Sequence, residues 1–317
     1  MDASLRQAFL AKLVVVPASC PLEARGEGRV GEAGYARERV SYLASPGVRV
    51  PAWLLVPEGL TGRAPAVLCV HQHAGEFDLG KSEPAGLAGD PDMAYARELC
   101  RRGYVALAPD LECFEERQAP PEERARWAAV SPHPPTGAEY ERFVADRYLL
   151  QGSSLGARYV WDLARGVDYL ETRPEVDRGR IGVLGHSLGG QETCWALLFD
   201  PRLKAGACSC GVGTFATILR DGVGHNRAAY VPGLLGVGDV DALIAALAPT
   251  PLLLTAGAGD RIFPIDGVRR IAQAASEAYR AAGAPDAFRL REMPGGHAFP
   301  ADVRAEAYAW LDRWLKG

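Results

Sequence analysis

The sequence predicts an α/β fold in which a mostly parallel sheet is covered by helices on both faces. Short apolar segments alternate with longer amphipathic segments along most of the chain, as in strands that are buried between two helical layers. A G-x-S-x-G motif lies between one such apolar segment and the amphipathic segment that follows it. The length of 317 residues, with 48% hydrophobic composition, is sufficient for one large core. In folds of this class, ligands bind at the carboxyl ends of the strands.

The N-terminal region is predicted to be an extension that precedes the main domain. Residues 1–35 contain a predicted helix near residues 4–12 and a glycine-rich stretch. Two apolar segments, residues 37–44 and 48–56, then flank Ser45-Pro46-Gly47. This pattern of two strand-like segments around a turn sequence predicts an antiparallel hairpin.

A single predicted domain, residues 36–317, contains the alternating strands and helices. After the hairpin, the predicted strands are residues 66–70, 104–108, 182–184, 205–208, 252–256 and 288–291. The predicted helices are residues 93–102, 156–170, 191–199, 267–282 and 303–315. Two segments interrupt the alternation, at about residues 111–151 and 211–249, and we call them the first and second insertions. Connections of this length are usually lids or binding elements, so we predict that the two insertions form a lid over the ligand site.

Charge and hydropathy exclude several classes of partner. The formal net charge is -4, so the chain has no basic excess with which to bind nucleic acid or an anionic membrane. The apolar segment at residues 10–16 is interrupted by Lys12 and is too short to span a bilayer. We therefore expect a cytoplasmic protein that acts on a small-molecule substrate, and a homodimer is compatible with this sequence.

The cysteines and histidines predict neither a disulfide framework nor a metal centre. Seven cysteines are scattered through predicted strands and helices, which is typical of reduced, buried thiols. Cys208 and Cys210 are two positions apart, as are His71 and His73, but neither pair has further ligands at a suitable spacing. We expect no metal ion and no other cofactor.

The G-x-S-x-G motif, Gly185-His186-Ser187-Leu188-Gly189, supplies the predicted nucleophile. Residues 180–184 fit a short buried strand that leads into the motif, and residues 191–199 fit a helix that leaves it. On a strand-to-helix turn this motif forms a nucleophile elbow, in which a strained backbone lifts the serine hydroxyl above the sheet and the glycines make room for the turn. We therefore predict that Ser187 is the nucleophile.

Asp260 and His297 complete a predicted catalytic triad with Ser187. A serine hydroxyl needs a general base, and the base needs an acid that holds its tautomer. Asp260 lies on the loop after residues 252–257, and His297 lies on the loop after residues 288–292. This chain order is the usual one after a nucleophile elbow, and loops at one edge of a parallel sheet can bring the three side chains together. Asp266 is the alternative acid if the first of these loops runs differently.

The loop after residues 66–70 is the predicted second half of an oxyanion hole. A tetrahedral intermediate carries a negative oxygen that is stabilised by two preorganised N–H groups, one after the nucleophile and one from this loop. The backbone N–H of Leu188 is the first predicted donor. The N–H of His73 is the second, with Ala74 as the alternative.

Five further residues are candidates for a substrate pocket: His71, Glu76, Phe114, Tyr148 and His186. His71 and Glu76 flank the oxyanion loop, although charges there are also typical of a solvated rim. Phe114 and Tyr148 belong to the first insertion, where they would line a hydrophobic site or pack as part of a lid helix. His186 neighbours the nucleophile but is expected to point away from it as a packed supporting residue.

With these motifs in place, the chain from about residue 37 onward resembles the α/β-hydrolase superfamily. It is most similar to bacterial dienelactone hydrolase and acetyl-xylan esterase-like serine hydrolases, and Ala108-Pro109-Asp110 belongs to the likeness. Two positions depart from the pattern, because dienelactone hydrolases have cysteine in place of Ser187 and relatives commonly have glycine in place of Gln72. The resemblance implies an α/β-hydrolase fold and a cofactor-free hydrolase of carboxylic esters.

The predicted function is that of a serine hydrolase that cleaves a carboxylic ester or thioester of a small molecule through an acyl-enzyme. The same triad could instead cleave a carbon–carbon bond in a β-diketone or a ring-fission product. A third interpretation is a binding protein that keeps the hydrolase fold without turnover, although the presence of Ser187, Asp260 and His297 argues against it.

Overall fold

The computed structural model describes residues 3–15, 20–131 and 133–317 and contains one sheet of nine strands within them. The strands are β1 (Arg25–Glu32), β2 (Tyr35–Ser45), β3 (Val48–Pro57), β4 (Ala64–Val70), β5 (Val105–Pro109), β6 (Val176–His186), β7 (Leu203–Ser209), β8 (Leu252–Gly257) and β9 (Phe288–Met293). The helices are α1 (Ala3–Lys12), α2 (Tyr95–Arg101), α3 (Pro121–Ala128), α4 (Gly137–Leu150), α5 (Leu155–Thr172), α6 (Leu188–Phe199), α7 (Phe215–Arg220), α8 (Val240–Ala245), α9 (Ile265–Ala281) and α10 (Ala301–Leu315).

The sheet is antiparallel at one edge and parallel over the rest, in the order β1-β2-β3-β5-β4-β6-β7-β8-β9. β2 pairs with β3 in the antiparallel hairpin that the sequence predicted, and β3 also pairs antiparallel with β5. From β5 to β9 every pairing is parallel. The carboxyl ends of β4 to β9 therefore open at the same edge, which is where the loops with the predicted catalytic residues begin.

Helices cover both faces of the sheet, as the alternation of segments predicted. β4 is buried at every position from Ala64 to Val70, which is typical of a parallel strand between two layers. Successive side chains of a strand point to opposite faces, so Leu68 belongs to the same cluster as Val160 of α5, and Val67 to the same cluster as Leu311 of α10.

The N-terminal region packs against the domain. Phe9 and Leu13 are 0% and 1% exposed and belong to the main core cluster. β1 pairs with β2 although most of its residues are exposed, so the sheet begins before the predicted boundary at residue 36. Residues 1, 2 and 16–19 also fall in the predicted extension, but they lie outside the described residues.

Both insertions contain helices, and the one that carries Tyr148 agrees with the lid-helix alternative for that residue. α3 and α4 belong to the first insertion, and α7 and α8 belong to the second. Arg117 anchors the first insertion by donating to Asp162 Oδ2 on α5 at 2.7 Å. In the second, Asp239 caps the start of α8 and also accepts the Phe215 N–H at 2.8 Å. Caps and buried ion pairs of this kind give each insertion a defined position on the domain.

Neither disulfides nor membrane-spanning helices contribute to the fold within residues 3–15, 20–131 and 133–317. All seven cysteines are free thiols, six of them buried, in agreement with the expectation from their spacing. None of the helices in these ranges has the length and hydropathy that crossing a bilayer requires.

Candidate active site

Ser187 occupies a sharp turn between β6 and α6. The strand ends at His186 and the helix begins at Leu188, so Ser187 is the single residue between them. Its backbone has φ 56° and ψ -119°, a conformation that is costly for a residue with a Cβ atom and persists only where the surroundings enforce it. The strand-to-helix elbow that the motif predicted is present in the structure.

Gly185 and Gly189 make this turn sterically possible. A Cβ atom on Gly185 would overlap backbone atoms of Gly189, and one on Gly189 would overlap the Val70 carbonyl oxygen at the end of β4. The Ser187 N–H donates to the Ser209 carbonyl on β7 at 2.8 Å. The close packing of two strands against the start of α6 therefore holds Ser187 in its strained conformation.

His297 and Asp260 form a hydrogen-bonded pair on the loops that follow β9 and β8. His297 Nδ1–H donates to Asp260 Oδ2 at 2.8 Å. Asp260 Oδ1 accepts the N–H groups of Ile262 at 2.9 Å and Phe263 at 3.2 Å. These contacts orient the carboxylate, and they leave Nε2 of His297 as the unprotonated nitrogen that a general base requires.

The Asp260 carboxyl is placed to remain ionised. Burial by itself would raise its pKa, since the residue is 7% exposed, but the hydrogen bonds from His297 and from two backbone N–H groups outweigh burial and lower the pKa below its usual value. Asp266, the alternative acid, is exposed near the start of α9 and pairs with Arg220 at 2.6 Å. The geometry thus assigns Asp260, not Asp266, as the partner of His297.

Ser187 and His297 line the same polar cleft, which has a volume of about 670 Å³ and lies above the carboxyl ends of the strands. The serine is 8% exposed, and the imidazole of His297 is 25% exposed. Within the described part of the chain, the hydrogen bond to Asp260 is the only one that the His297 side chain makes. Serine–histidine hydrogen bonds of catalytic sites often tighten only when substrate binds.

The candidate oxyanion donors lie on the two segments that flank Ser187 in the cleft. Leu188 is the first residue of α6, where backbone N–H groups have no partner within the helix. His73 and Ala74 line the cleft in a tight turn, in which the Glu76 N–H donates to the His73 carbonyl at 3.0 Å. The structure therefore keeps both His73 and Ala74 as candidates for the second donor.

His71 and Tyr148, which were predicted to border the pocket, are instead bonded to other parts of the protein. The Leu111 N–H donates to His71 Nε2 at 3.1 Å, so the proton lies on Nδ1, which donates to the Gln72 carbonyl at 2.8 Å. Burial lowers the pKa of His71 to about 4, so the ring stays neutral and joins the ends of β4 and β5. Tyr148 donates to Glu112 Oε2 at 2.7 Å and does not line the cleft.

The other three predicted pocket residues also lie outside the cleft wall. Phe114 is fully buried, and Glu76 is exposed to solvent. His186 is 1% exposed and packs behind His297, with its Nδ1 atom 2.9 Å from Ser209 Oγ. Burial and repulsion by His297 lower the pKa of His186 to about 3. His186 is therefore a neutral packed residue, which was the alternative to a pocket role.

The cleft is formed largely by residues that the sequence pattern did not single out as site residues. These are Gln72, Gly75, Ala138, Glu141, Gly224, His225, Asn226, Arg227, Tyr230 and Ile262. Most of them belong to the two insertions. His225 Nε2–H donates to the Ile262 carbonyl at 2.8 Å, which leaves Nδ1 as an acceptor. Insertion length was the only sequence signal for these residues, because local periodicity does not show which side chains face Ser187.

A smaller apolar cavity of about 40 Å³ adjoins the cleft on the side of His297. It shares His225 with the cleft. Phe263 forms part of its wall and stacks on His297, with ring centroids 5.8 Å apart. The site thus combines a polar mouth with a narrow hydrophobic side pocket.

Two groups of side chains in the described residues have the spacing of metal ligands, and each already makes other interactions. The groups are Cys210, Asp260 and His297, and Asp110, Glu115 and Glu116. In the first, Asp260 is hydrogen-bonded to His297. In the second, the carboxylates surround the ammonium of Lys81, which lies 2.9 Å from Asp110 Oδ2 and 2.6 Å from Glu116 Oε1. The protein itself therefore supplies a cation to the second group.

Comparison with known proteins identifies relatives of this chain. The model of the prolyl oligopeptidase family, Peptidase_S9, matches residues 148–317, a range that includes Ser187, Asp260 and His297. YtaP of Bacillus subtilis (strain 168), a provisionally named hydrolase, is 30% identical over 270 residues, which is 84% of either chain.

Solved structures share the fold at low sequence identity. A provisionally named acetyl xylan esterase of Bacteroides fragilis NCTC 9343 has a TM-score of 0.73 at 19% identity, and the alignment covers 97% of this chain and 80% of the esterase chain. A glucuronoyl esterase from Solibacter usitatus has a TM-score of 0.70 at 17% identity, and the alignment covers 98% of this chain and 92% of the esterase chain. The predicted α/β-hydrolase fold is confirmed.

Proposed function

Because this chain belongs to the prolyl oligopeptidase family of α/β-hydrolases, we propose that it cleaves a carboxylic ester or thioester of a small molecule through an acyl-enzyme on Ser187. The observation that carries the proposal is that Ser187 shares one cleft with His297, whose Nδ1–H donates to Asp260 at 2.8 Å. This arrangement leaves a basic nitrogen available near a strained serine.

The reaction follows from the roles of these atoms. Ser187 Oγ attacks the carbonyl carbon while His297 Nε2 takes the hydroxyl proton, and Asp260 stabilises the imidazolium that forms. The N–H groups of Leu188 and His73 stabilise the oxyanion. The bond to the leaving group then breaks, and His297 returns the proton to the departing oxygen or sulfur. Water, activated by the same histidine, releases the acid and restores Ser187.

The structural neighbours support an ester as the substrate, since those described above are named esterases. The family name indicates peptidases as well, so an amide substrate is the natural comparison. Carbon–carbon bond cleavage by the same triad remains a separate hypothesis, which product analysis distinguishes from ester hydrolysis.

Buried free thiols support our proposal of a reducing, cytoplasmic location.

Substitution of the nucleophile tests the proposal. Ser187→Ala should abolish hydrolysis of p-nitrophenyl acetate and labelling by a fluorophosphonate, because both need the hydroxyl. Ser276→Ala on α9 is the matched control and should keep both. Circular dichroism checks that each variant is folded. Turnover retained in Ser187→Ala would contradict the proposal. If the protein hydrolyses a prolyl amide in preference to every ester tested, its substrates are peptides and not esters.

A further inference from the structure

Glu141 is a buried carboxylate in the wall of the catalytic cleft. It lies on α4 in the first insertion and is 4% exposed. It lines the same cleft as Ser187. A carboxylate is rarely buried to this extent unless it has partners that stabilise its charge, so its contacts are informative.

One oxygen of Glu141 connects three segments of the site. Glu141 Oε1 accepts the Arg227 N–H of the second insertion at 3.3 Å. The same oxygen lies 3.3 Å from Nε2 of His73, on the loop after β4. The first insertion, the second insertion and the oxyanion loop thus meet at a single carboxylate.

The hydrogen bonds of His73 show that its proton faces Glu141. The Gly75 N–H donates to His73 Nδ1 at 3.0 Å, so Nδ1 is unprotonated and Nε2 carries the hydrogen. The ring is held edge-on against Phe77 and Phe114, with centroids 5.0 Å and 5.2 Å away. Nε2 is buried and makes no hydrogen bond among the described residues, and the Glu141 carboxylate, 3.3 Å away, is the charged group that faces it.

The side chain of His73 is coupled to the backbone that would bind the oxyanion. The turn after it has φ 49° at Ala74 and 77° at Gly75, and the Glu76 N–H closes it on the His73 carbonyl. A positive φ is costly at alanine, so the turn needs support from its surroundings. Within the described residues, the backbone N–H groups of His73 and Ala74 donate to no protein acceptor, which leaves them for a ligand.

We propose that Glu141 is a positioning residue that acts through His73 to set the oxyanion donors of the cleft, and this inference rests on the proposed function. The carboxylate attracts the Nε2–H of His73 from 3.3 Å, the ring accepts the Gly75 N–H, and the closed turn places the donor N–H. Because α4 carries Glu141, the first insertion becomes part of the catalytic geometry in addition to shaping the entrance.

Substitution of Glu141 should reduce turnover more than binding. Loss of an oxyanion donor typically lowers kcat by about 100- to 1000-fold. Misplacement of a donor is milder, so we expect Glu141→Leu to lower kcat about 10- to 100-fold and to change KM less than about 3-fold. Glu141→Gln keeps an acceptor oxygen and should recover most of the lost rate. Glu139→Leu replaces an exposed glutamate of the same helix and is the matched control.

A double-mutant cycle tests whether the effect passes through His73. His73→Phe keeps a ring between Phe77 and Phe114 but removes both nitrogens. Combined with Glu141→Leu, it should lower kcat no further than His73→Phe alone, because the effect of Glu141 passes through the ring nitrogens that His73→Phe removes. Multiplicative losses, a change in KM alone, or unchanged kcat in Glu141→Leu would overturn the inference. If the leucine variant does not fold, the same cycle with Glu141→Met, which also lacks an acceptor oxygen, gives the same decision.

The labelling rate of Ser187 with a fluorophosphonate separates this inference from the choice of substrate. The phosphoryl oxygen of the reagent occupies the oxyanion hole, so Glu141→Leu should slow labelling about as much as it slows turnover. If wild-type protein is labelled but hydrolyses no ester, the proposed substrate is wrong, and slower labelling of the variant still supports the role of Glu141. Equal labelling of the two proteins overturns that role whatever the substrate is.

Discussion

The imidazole rings of His186 and His297 lie with their centroids 4.8 Å apart, yet they have opposite surroundings. His297 Nδ1–H donates to the carboxylate of Asp260, which stabilises a positive charge on the ring. His186 is 1% exposed and lies next to Ser209 Oγ, an uncharged partner. The site therefore places one ring that is hydrogen-bonded to a carboxylate against a second ring whose side-chain partner is uncharged.

His186 should stay neutral throughout the pH range of catalysis. Burial, followed by repulsion from His297, lowers its pKa to about 3. In NMR spectra of protein with ¹⁵N-labelled histidine, the ring signals of His186 should keep the neutral form from about pH 5 to 9. His186→Gln assigns these signals and should leave the shape of the pH–rate profile unchanged. A titration of His186 in this range would contradict the prediction.

Asp260 and Asp266 provide a matched pair for testing the acid of the triad. Asp260→Asn should lower kcat by about 1000- to 10000-fold, because the amide favours the wrong tautomer of His297. Asp266→Asn removes an exposed carboxylate that pairs with Arg220 and should change kcat less than about 2-fold. The measurement is kcat for a p-nitrophenyl ester at saturating substrate. Comparable losses in the two variants would contradict the assignment of Asp260 as the acid. A large loss only in Asp266→Asn would reverse it.

The fold and the candidate triad were predictable from sequence because their signals are local. Each predicted catalytic residue follows its own apolar strand, and the parallel order of β6, β8 and β9 brings the loops after them to one edge. The glycines of the motif around Ser187 have a local steric reason as well, since the turn leaves no room for a Cβ atom at Gly185 or Gly189. Such patterns are encoded within a few residues and depend little on distant packing.

The cleft wall was not predictable, because its residues come together through long-range packing. Glu141 meets Arg227 across a sequence separation of 86 positions, and nothing near either residue in the sequence indicates the contact. The burial of Lys81 was not predictable from sequence either. A lysine in a polar loop is usually solvated, whereas Lys81 is 0% exposed. Its carboxylate partners belong to a different loop, so sequence pattern alone does not distinguish an ion-pair cluster from a solvated rim.

Lys81 should be a large contributor to stability. Its ammonium lies among Asp110, Glu115 and Glu116, with Asp110 Oδ2 at 2.9 Å. Lys81→Met leaves these carboxylates without their cation, and breaking a buried ion pair costs about 3–5 kcal/mol. The loss should be larger at pH 8 than at pH 5, because burial raises the pKa of Asp110 to about 7 and protonation of Asp110 at low pH removes one of the unpaired charges.

Unfolding by urea at the two pH values measures this effect. Lys204→Met is the matched control, since Lys204 is exposed and donates only to a backbone carbonyl in the described structure; it should change stability by less than about 0.5 kcal/mol. Equal effects of the two substitutions would show that the buried cluster contributes little to stability. A loss in Lys81→Met that does not depend on pH would show that unpaired carboxylate charge is not its cause.

Glu192 should make the protein less stable as the pH rises. It lies five positions after Ser187 on α6, is 0% exposed, and its Oε2 atom has no hydrogen-bond partner among the described residues. Burial raises its pKa to about 8, and the hydrogen bond from Gln191, which lowers the pKa, offsets only part of this effect. Below a pH of about 4.5 both the folded and the unfolded chain bind this proton, so the group has no effect on stability there. Between that pH and about 8 only the folded state holds the proton, so stability falls by a total of about 5 kcal/mol.

Glu192→Gln should therefore raise the thermal midpoint, and by more at pH 8.5 than at pH 5.5. The amide keeps the shape of the carboxyl group but has no proton to lose, so the variant avoids the cost that ionisation imposes on the folded state. Differential scanning calorimetry of both proteins at the two pH values measures the difference. Glu122→Gln on α3 replaces an exposed carboxyl and should give the same small shift at both. A difference between Glu192→Gln and wild type that stays constant with pH would mean that the Glu192 carboxyl has the same proton affinity in the folded and unfolded chains.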